Sequence, residues 1–304
     1  MTDQTAGTVV TKAQRSLWGD VLRQFLHHKG GVAGLVIFLF ILGAVLFGPF
    51  IHTIDPQFLD IRNKNLGPTW GHPMGTDNLG RDMLAQVLSG GRVSLAVGIA
   101  AMALSLLVGT LIGIVAGFFQ KLDGPLMRTT DLFLALPILP LLLVIIMLFR
   151  DSLRSVFGPE MGIFFLIVFV IGITSWMNTA RIVRGEVLAI KEREFVLAAR
   201  SVGTHSWKIV ARHIFPNVLS PVMVSATLGI ANAIITESSL SFLGLGFPSD
   251  FPTWGRLLFD GANFMTLNPA RVIWPGLAIS LTVLSVNYIG DGIRDALDPR
   301  IRGR

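Results

Sequence analysis

The sequence has no cysteine and few charged residues. The absence of cysteine excludes disulfides, thiolate metal sites and cysteine nucleophiles. Only 14% of the 304 residues are charged, whereas a typical soluble domain has about 25%. Too few charges remain for a water-exposed surface, so we expect lipid to cover much of this protein. Histidine is also scarce, with six in all, and we predict no metal site.

Sequence patterns of catalysis are missing as well. The chain has no G-x-x-x-x-G-K-S/T loop, so it is not expected to hold ATP phosphates itself. It has no H-E-x-x-H metal motif and no G-x-S-x-G nucleophile elbow, the features expected of a membrane-embedded enzyme. We therefore predict that the chain is not an enzyme and carries no cofactor of its own.

Long apolar stretches are abundant, and the mean hydropathy is +0.65. A bilayer core of about 30 Å needs roughly 20 apolar residues in a helix. Six stretches free of Asp, Glu, Lys and Arg qualify as spans: Gly30–Ile54, Val93–Gln120, Leu132–Phe149, Met161–Ala180, His213–Thr236 (continuing to about residue 241) and Val272–Gly290. We predict an all-α membrane protein with six transmembrane helices in one membrane domain over 30–304. Pro137 and Pro140 predict a kink near the start of the third helix.

Basic residues predict the orientation of the chain. If the amino terminus is inside the cell, 17 of the 25 Lys and Arg residues lie in cytoplasmic segments. The positive-inside rule then places both termini of this multi-pass protein in the cytoplasm. The same bias accounts for the net charge of +6 without nucleic acid as a partner.

The first 29 residues precede the first span and do not resemble a cleavable signal peptide. Six apolar residues recur there at helical spacing among basic ones: Leu17, Trp18, Val21, Leu22, Phe25 and Leu26. This pattern is typical of an amphipathic helix at the inner membrane surface. A frayed tail is the alternative.

One cytoplasmic segment, 181–216, is unusually long. It is rich in helix-forming residues up to Arg200, is interrupted at Gly203 and ends at Pro216. We predict a helix, a glycine turn and a second short helix capped by Thr204 or Ser206. The small residues would let another protein approach closely, whereas a basic hairpin binding lipid headgroups is the alternative.

This segment resembles the EAA loop of ABC importer permeases. Ala198, Ala199, Gly203 and Pro216 match the family pattern, while Leu197, His213 and Phe215 depart from it. Three more segments resemble C-type permeases of dipeptide and oligopeptide importers: MGTDNLGRDMLAQVLSGGRVSLAVG from Met74, ESSLSFLGLGFP from Glu237 with PTWG from Pro252, and GDGIRDALDPR from Gly290. Together they cover most of the chain in the family's order.

The resemblance implies a type I importer fold and a set of partners. These are a paralogous permease, two ATP-binding subunits that hold ATP and Mg, and an external solute-binding protein. It implies that the loop forms coupling helices in a groove of each ATPase, with the following contact residues: Ala198, Ala199, Arg200, Ser201, Gly203, Thr204, His205 and Pro216. Relatives carry peptides, nickel, glutathione or opine-like solutes, and peptide is the leading expectation. An ion-coupled transporter would place charges within its spans, which are uncharged here.

Two further sites remain open to interpretation. Asp77 or Asn78 is expected to cap a helix that has Arg81 and Asp82 near its start, with contact to the binding protein as the alternative. Glu237 is expected near the outer interface in a structural or gating pair. Gly109, Gly113 and Gly117 share one helix face and predict close packing within the chain or against the partner permease.

Overall fold

The computed structural model describes residues 17–248 and 251–297 of the chain. Within these ranges the elements are helices, apart from one isolated bridge between Thr76 and Asp82. The α-helices are α1 (Leu17–His27), α2 (Lys29–Ile51), α3 (Met83–Phe118), α4 (Gln120–Ala135), α5 (Ile138–Phe157), α6 (Pro159–Ile190), α7 (Glu194–Ser201), α8 (Ser206–Ile209), α9 (Phe215–Phe242), α10 (Trp254–Ala262) and α11 (Ala270–Leu297). A 3-10 turn covers Ile61–Asn63, and a π-helical turn covers Val210–Ile214. The charged tail predicted after Leu297 and the first 16 residues lie outside the described residues.

Five helical segments are long and apolar enough to cross a membrane. They are α2, α3, α6, α11 and the continuous run from α8 through α9. The bent pair α4 and α5 makes a sixth if it is counted as one span. The predicted all-α membrane fold is thus confirmed. The helices run past the predicted spans, since α3 begins at Met83 rather than Val93 and α6 ends at Ile190 rather than Ala180. Charged residues mark where lipid contact ends, but a helix can continue into water.

The third predicted span is not one kinked helix over 132–149. The chain turns by 88° between α4 and α5. Leu136 is extended there, with ψ of 138°, because a residue before proline avoids the helical region. Pro140 lies within the first turn of α5, where a missing N–H costs no helical hydrogen bond. The position of the kink was predicted correctly, but Pro137 produces a complete break.

Close packing of α3 against α6 forms the centre of the fold. A Cβ atom built on Gly109 would lie 2.7 Å from the Trp176 carbonyl oxygen, and one on Gly113 would lie 2.6 Å from that of Ala180. Gly117 faces Val187 in the same way. The glycine face predicted from the sequence therefore packs within the chain, because only glycine lets these two backbones approach so closely.

A second layer is formed by α2, α9 and α11. A Cβ atom on Gly34 of α2 would meet the Ser285 carbonyl oxygen of α11 at 2.6 Å. The short helix α10 packs between α9, α11 and α3, and buries Trp254 among Val45, Ile234 and other apolar side chains. Small residues let the long helices approach closely, and the Trp254 side chain fills the space between them.

The helices define two ends of the molecule. Arg92 donates hydrogen bonds to the carbonyl oxygens of Val45 and Leu46, which brings the end of α2 to the start of α3. Lys191, just after α6, donates to the Gly117 carbonyl oxygen near the end of α3. We call the end with Lys191 the loop end, and the end with Arg92 and α10 the opposite end.

The amphipathic segment before the first span is helical from Leu17, as predicted. Phe25 is buried at the loop end, where its ring contacts the backbone of Gly31 and Gly292. Leu22 and Leu26 remain exposed. The helix is therefore attached to the bundle through one aromatic side chain and presents other apolar side chains outward.

Candidate functional site

The long loop at the loop end is shorter than the sequence indicated, because residues 181–190 belong to α6. The remainder, residues 191–214, which we call the α6–α9 loop, contains α7, a turn at Gly203, α8 and the π-helical turn. Pro216 lies in the first turn of α9, where proline is tolerated. The order of helix, glycine turn, helix and span matches the prediction.

The turn depends on glycine. Gly203 has φ of +78°, a left-handed conformation that other residues adopt at a cost. Its N–H donates to the Arg200 carbonyl oxygen at 2.9 Å, and the Thr204 N–H donates to that of Ala199 at 3.1 Å. These bonds satisfy carbonyl groups that the end of α7 leaves free.

The predicted cap of the second helix is wrong. His205, rather than Thr204 or Ser206, is the capping residue of α8, and its side chain makes no capping hydrogen bond. The helical run that begins at Ser206 continues through the π-helical turn into α9. The Ile209 N–H bonds to the His205 carbonyl oxygen instead, at 3.1 Å.

The inner side of the α6–α9 loop packs firmly onto the spans. Val196, Ile209 and Ile214 are fully buried, in a cluster with Ile114 of α3 and Val187 of α6. Polar contacts reinforce this cluster. The Lys191 ammonium is nearly buried and donates to the Gly117 carbonyl oxygen at 3.1 Å, which satisfies a free acceptor at the end of α3.

The outer side of the same loop is open. Of the predicted contact residues, Ala198, Arg200, Ser201, Gly203, His205 and Pro216 are exposed, whereas Ala199 and Thr204 are partly buried. A Cβ atom on Gly203 would meet no atom within 4 Å. Apolar side chains lie beside these small residues, and Val202 is 85% exposed. Six of the eight predicted contact residues are therefore exposed, in the α6–α9 loop or in the first turn of α9.

The neighbouring helix α4 is held to α6 by ion pairs. Arg184 donates from Nε and Nη2 to the two carboxylate oxygens of Asp123, at 2.5 and 2.6 Å. Arg181, one turn before Arg184 on α6, pairs with Asp131, which lies eight residues after Asp123 on α4. A two-pronged guanidinium–carboxylate contact fixes orientation as well as distance, so α4 is aligned along the end of α6.

At the opposite end, the predicted cap of α3 must be corrected. Asp82 caps this helix, since its carboxylate accepts the Ala85 N–H at 2.6 Å. Asp77 instead closes the preceding turn, where it accepts the N–H groups of Leu79 and Arg81 and pairs with the Arg81 side chain at 2.7 Å. The helix thus begins after Asp82, later than predicted, because the residues from Asp77 to Arg81 form a separate turn.

Two histidines were missed by the sequence analysis. His52, after α2, contacts one Asp82 oxygen at 2.9 Å, and His72 contacts the other at 2.7 Å. The carboxylate therefore joins three separate segments at the opposite end. The residues are 10 and 30 positions from Asp82, so no local spacing could have indicated their contact.

Glu237 is paired with neighbouring hydroxyl groups. It is fully buried, and its carboxylate accepts hydrogen bonds from the hydroxyl groups of Ser241 at 2.8 Å and Ser94 at 3.2 Å. The backbone N–H of Trp254 donates in turn to the Ser94 hydroxyl oxygen at 3.2 Å. Among the described residues, no Lys, Arg or His forms an ion pair with Glu237. Hydroxyl groups from α3 and α9 satisfy it, and its gating or structural role stays a prediction.

Comparison with known families identifies the chain. Residues 109–303 match the model of the binding-protein-dependent transport system inner membrane component. Residues 16–68 match the N-terminal transmembrane domain of oligopeptide transport permease C. The chain belongs to the binding-protein-dependent permease family. It is a transmembrane permease subunit of an ABC importer, as the resemblance implied.

Curated relatives agree over nearly the whole length of this permease. The oligopeptide transport system permease protein OppC of Bacillus subtilis is 35% identical over 294 residues, which is 96% of this chain and 93% of that protein. The protein of the same name from Haemophilus influenzae is 39% identical, and the match covers 95% of this chain and 90% of that protein. The glutathione transport system permease protein GsiD of Pectobacterium atrosepticum is 34% identical, and the match covers 98% of this chain and 96% of that protein.

Proposed function

We propose that this permease carries peptides or a similar small solute, and that its α6–α9 loop receives the force of ATP hydrolysis from separate subunits. One observation carries the proposal. The loop is tightly packed on its inner side and open, with small and apolar side chains, on its outer side. Four basic side chains of the loop are also exposed, namely Arg193, Arg200, Lys208 and Arg212. The choice of a coupling loop over a lipid-binding hairpin therefore also rests on the family match of residues 109–303.

The mechanical part of the proposal follows from this packing. Packed cores deform little, so a displaced surface element moves its support with it. The loop is supported by the ends of α3 and α6 through Ile114, Val187 and Lys191. The Asp123–Arg184 pair links α4 to the same support. A pull on the loop would therefore move these helices as one body.

The partners and cofactors belong to the same proposal. The chain lacks a phosphate-binding loop, so ATP and Mg would be held by two ATP-binding subunits. A paralogous permease would complete the pathway, and an external binding protein would deliver the solute. The relatives' names mention oligopeptides and glutathione, which supports a peptide-like cargo for this chain.

We further propose that the loop end is cytoplasmic. Of the 20 Lys and Arg residues in the described ranges, 12 lie in segments at that end, as the positive-inside rule requires. The start of α2 and the end of α11 also meet there, since His28 Nε2 lies 3.4 Å from the Asp295 carboxylate oxygen Oδ2. Reporters fused after Thr204 and after Phe251 should then report the inside and the outside of the cell. Two reports from one side would contradict this orientation.

The sharpest test of the loop uses Ala198. It is exposed and of small size, whereas Ala199 also packs against the buried cluster and a change there would disturb the loop itself. Ala198→Trp in the complete transporter should leave the subunit in the membrane and reduce ATP-driven uptake at least tenfold, about 1.4 kcal/mol of lost coupling.

Ala198→Ser is the matched control, because serine is also small and an exposed hydroxyl needs no protein partner. It should transport normally. Uptake by Ala198→Trp at the level of this control, with the ATPase subunits still bound, would show that the loop is not the coupling surface.

A further inference from the structure

The bundle contains a cavity of about 470 Å³ that none of the sites above uses. It lies beside the break between α4 and α5 and is bounded by α6 and α9. The lining side chains include apolar ones around the break, such as Leu136 and Ile138, and hydroxyl and amide groups on the two spans. No lining residue carries a charge: none is Asp, Glu, Lys, Arg or His.

The polar lining forms a stripe on each span. On α6 it contains Ser175 and Asn178, three residues apart, and on α9 it contains Ser225, Asn232 and Thr236. Residues at spacings of three, four and seven share one helix face. From Ser225 to Thr236 the stripe extends for about 17 Å, more than half of the hydrocarbon thickness of about 30 Å.

Two amides in this stripe are free to bind. The Thr179 and Ser225 hydroxyl groups bond to each other at 2.9 Å, and the Thr236 hydroxyl bonds to the Asn232 carbonyl oxygen. The side-chain amides of Asn178 and Asn232 are exposed and have no hydrogen bond within the described part of the chain. An unpaired amide facing lipid tails would be strongly unfavourable. Within a span, such a face belongs to a water-filled cavity or to a protein contact.

We propose that this stripe is the wall that the chain contributes to the solute pathway, and that it receives solutes through neutral hydrogen bonds rather than charges. The inference rests on the proposed function. An amide offers two donors and one acceptor with two lone pairs, which match the N–H and C=O groups of a peptide main chain. A wall without fixed charge admits acidic, basic and neutral side chains alike.

The chain's lack of cysteine makes the wall directly testable. Asn178→Cys and Asn232→Cys would be made in the complete transporter and exposed to a charged, membrane-impermeant thiol reagent, without nucleotide and with ATP plus vanadate. Both positions should react, at rates that differ at least about fivefold between the two states because the pathway opens to alternate sides. Phe40→Cys is the control, since that side chain is 75% exposed on the apolar α2 and should not react.

A second experiment tests whether the absence of charge from the wall matters for uptake. Asn232→Asp should lower uptake of Ala-Glu-Ala relative to Ala-Lys-Ala by about threefold through like-charge repulsion, whereas Asn232→Gln should leave the ratio unchanged. An unchanged ratio in Asn232→Asp would overturn the neutral-wall proposal.

Failure of the two proposals can be told apart. If neither cysteine reacts in either state, or if both instead form disulfides with a cysteine placed in the partner permease, the stripe is an interface and the inference is wrong. If the cysteines react as expected but the unaltered transporter takes up neither tripeptide, the peptide assignment fails and the wall stands.

Discussion

The two ends of the molecule use a similar element in opposite ways. At each end a short helix lies across the spans: α7 at the loop end and α10 at the opposite end. Trp254 of α10 is 1% exposed and its indole N–H donates to the Val87 carbonyl oxygen at 2.9 Å. Val202, directly after α7, is 85% exposed. One helix completes a core, and the other leaves apolar surface exposed.

Glycines at the two ends show the same contrast. A Cβ atom on Gly255 would lie 2.5 Å from the Ser238 backbone, whereas one on Gly203 would meet nothing within 4 Å. Gly255 is small because the chain already fills the space, and Gly203 needs only its positive φ. Gly255 therefore reflects internal packing and Gly203 an open turn, a difference that composition cannot show.

The largest expected effect on stability is at the opposite end, where Trp254 is buried. Trp254→Ala should lower the free energy of unfolding in detergent by about 3–5 kcal/mol, because a large buried ring and its hydrogen bond are lost. Denaturant titration of the purified transporter would measure this. Trp207→Ala, at a side chain that is 57% exposed near the loop end, is the control and should cost far less. Equal losses would remove the contrast between the two ends.

Substitution of Gly255 should have an intermediate effect on stability, and Gly203 serves as its comparison. Gly255→Ala is expected to cost about 1–3 kcal/mol, because the backbone of Ser238 must shift. Gly203→Asn should change stability by about 0.5 kcal/mol or less, since asparagine tolerates a positive φ and the space is open. Thermal unfolding of both variants would test this order, and a larger loss at Gly203 would show that the turn is packed after all.

The smallest effect is expected at the ion pair beside the loop. Arg184 and Asp123 are each partly solvent-exposed, so their coupling energy should be about 1 kcal/mol or less. A double-mutant cycle with Arg184→Ala and Asp123→Ala would measure it, with and without added salt. A coupling well above this range, insensitive to salt, would mean that α4 is fixed to α6 more rigidly than the exposure of the pair implies.

Much of the architecture could be predicted from local sequence. Apolar run length located the membrane-crossing helices, and the Gly109, Gly113 and Gly117 spacing indicated a close helix contact that α3 and α6 make. Helix ends were less predictable: α3 starts ten residues before its predicted span because its first turns are sheltered by protein rather than lipid. The break at Pro137 was underestimated for a related reason, since sequence shows that proline bends a helix but not whether neighbours permit a full turn.

The sequence by itself determined that this chain is a helical membrane protein, and its motifs indicated a permease of an ABC importer. Those conclusions depend on run length, composition and local motifs, which need no knowledge of what lies nearby. Only the tertiary structure decided that Asp82 joins two distant histidines, that Glu237 is satisfied by hydroxyl groups, and that Asn178 and Asn232 face a common cavity. These contacts join residues far apart in the chain, and helix packing alone sets which faces meet.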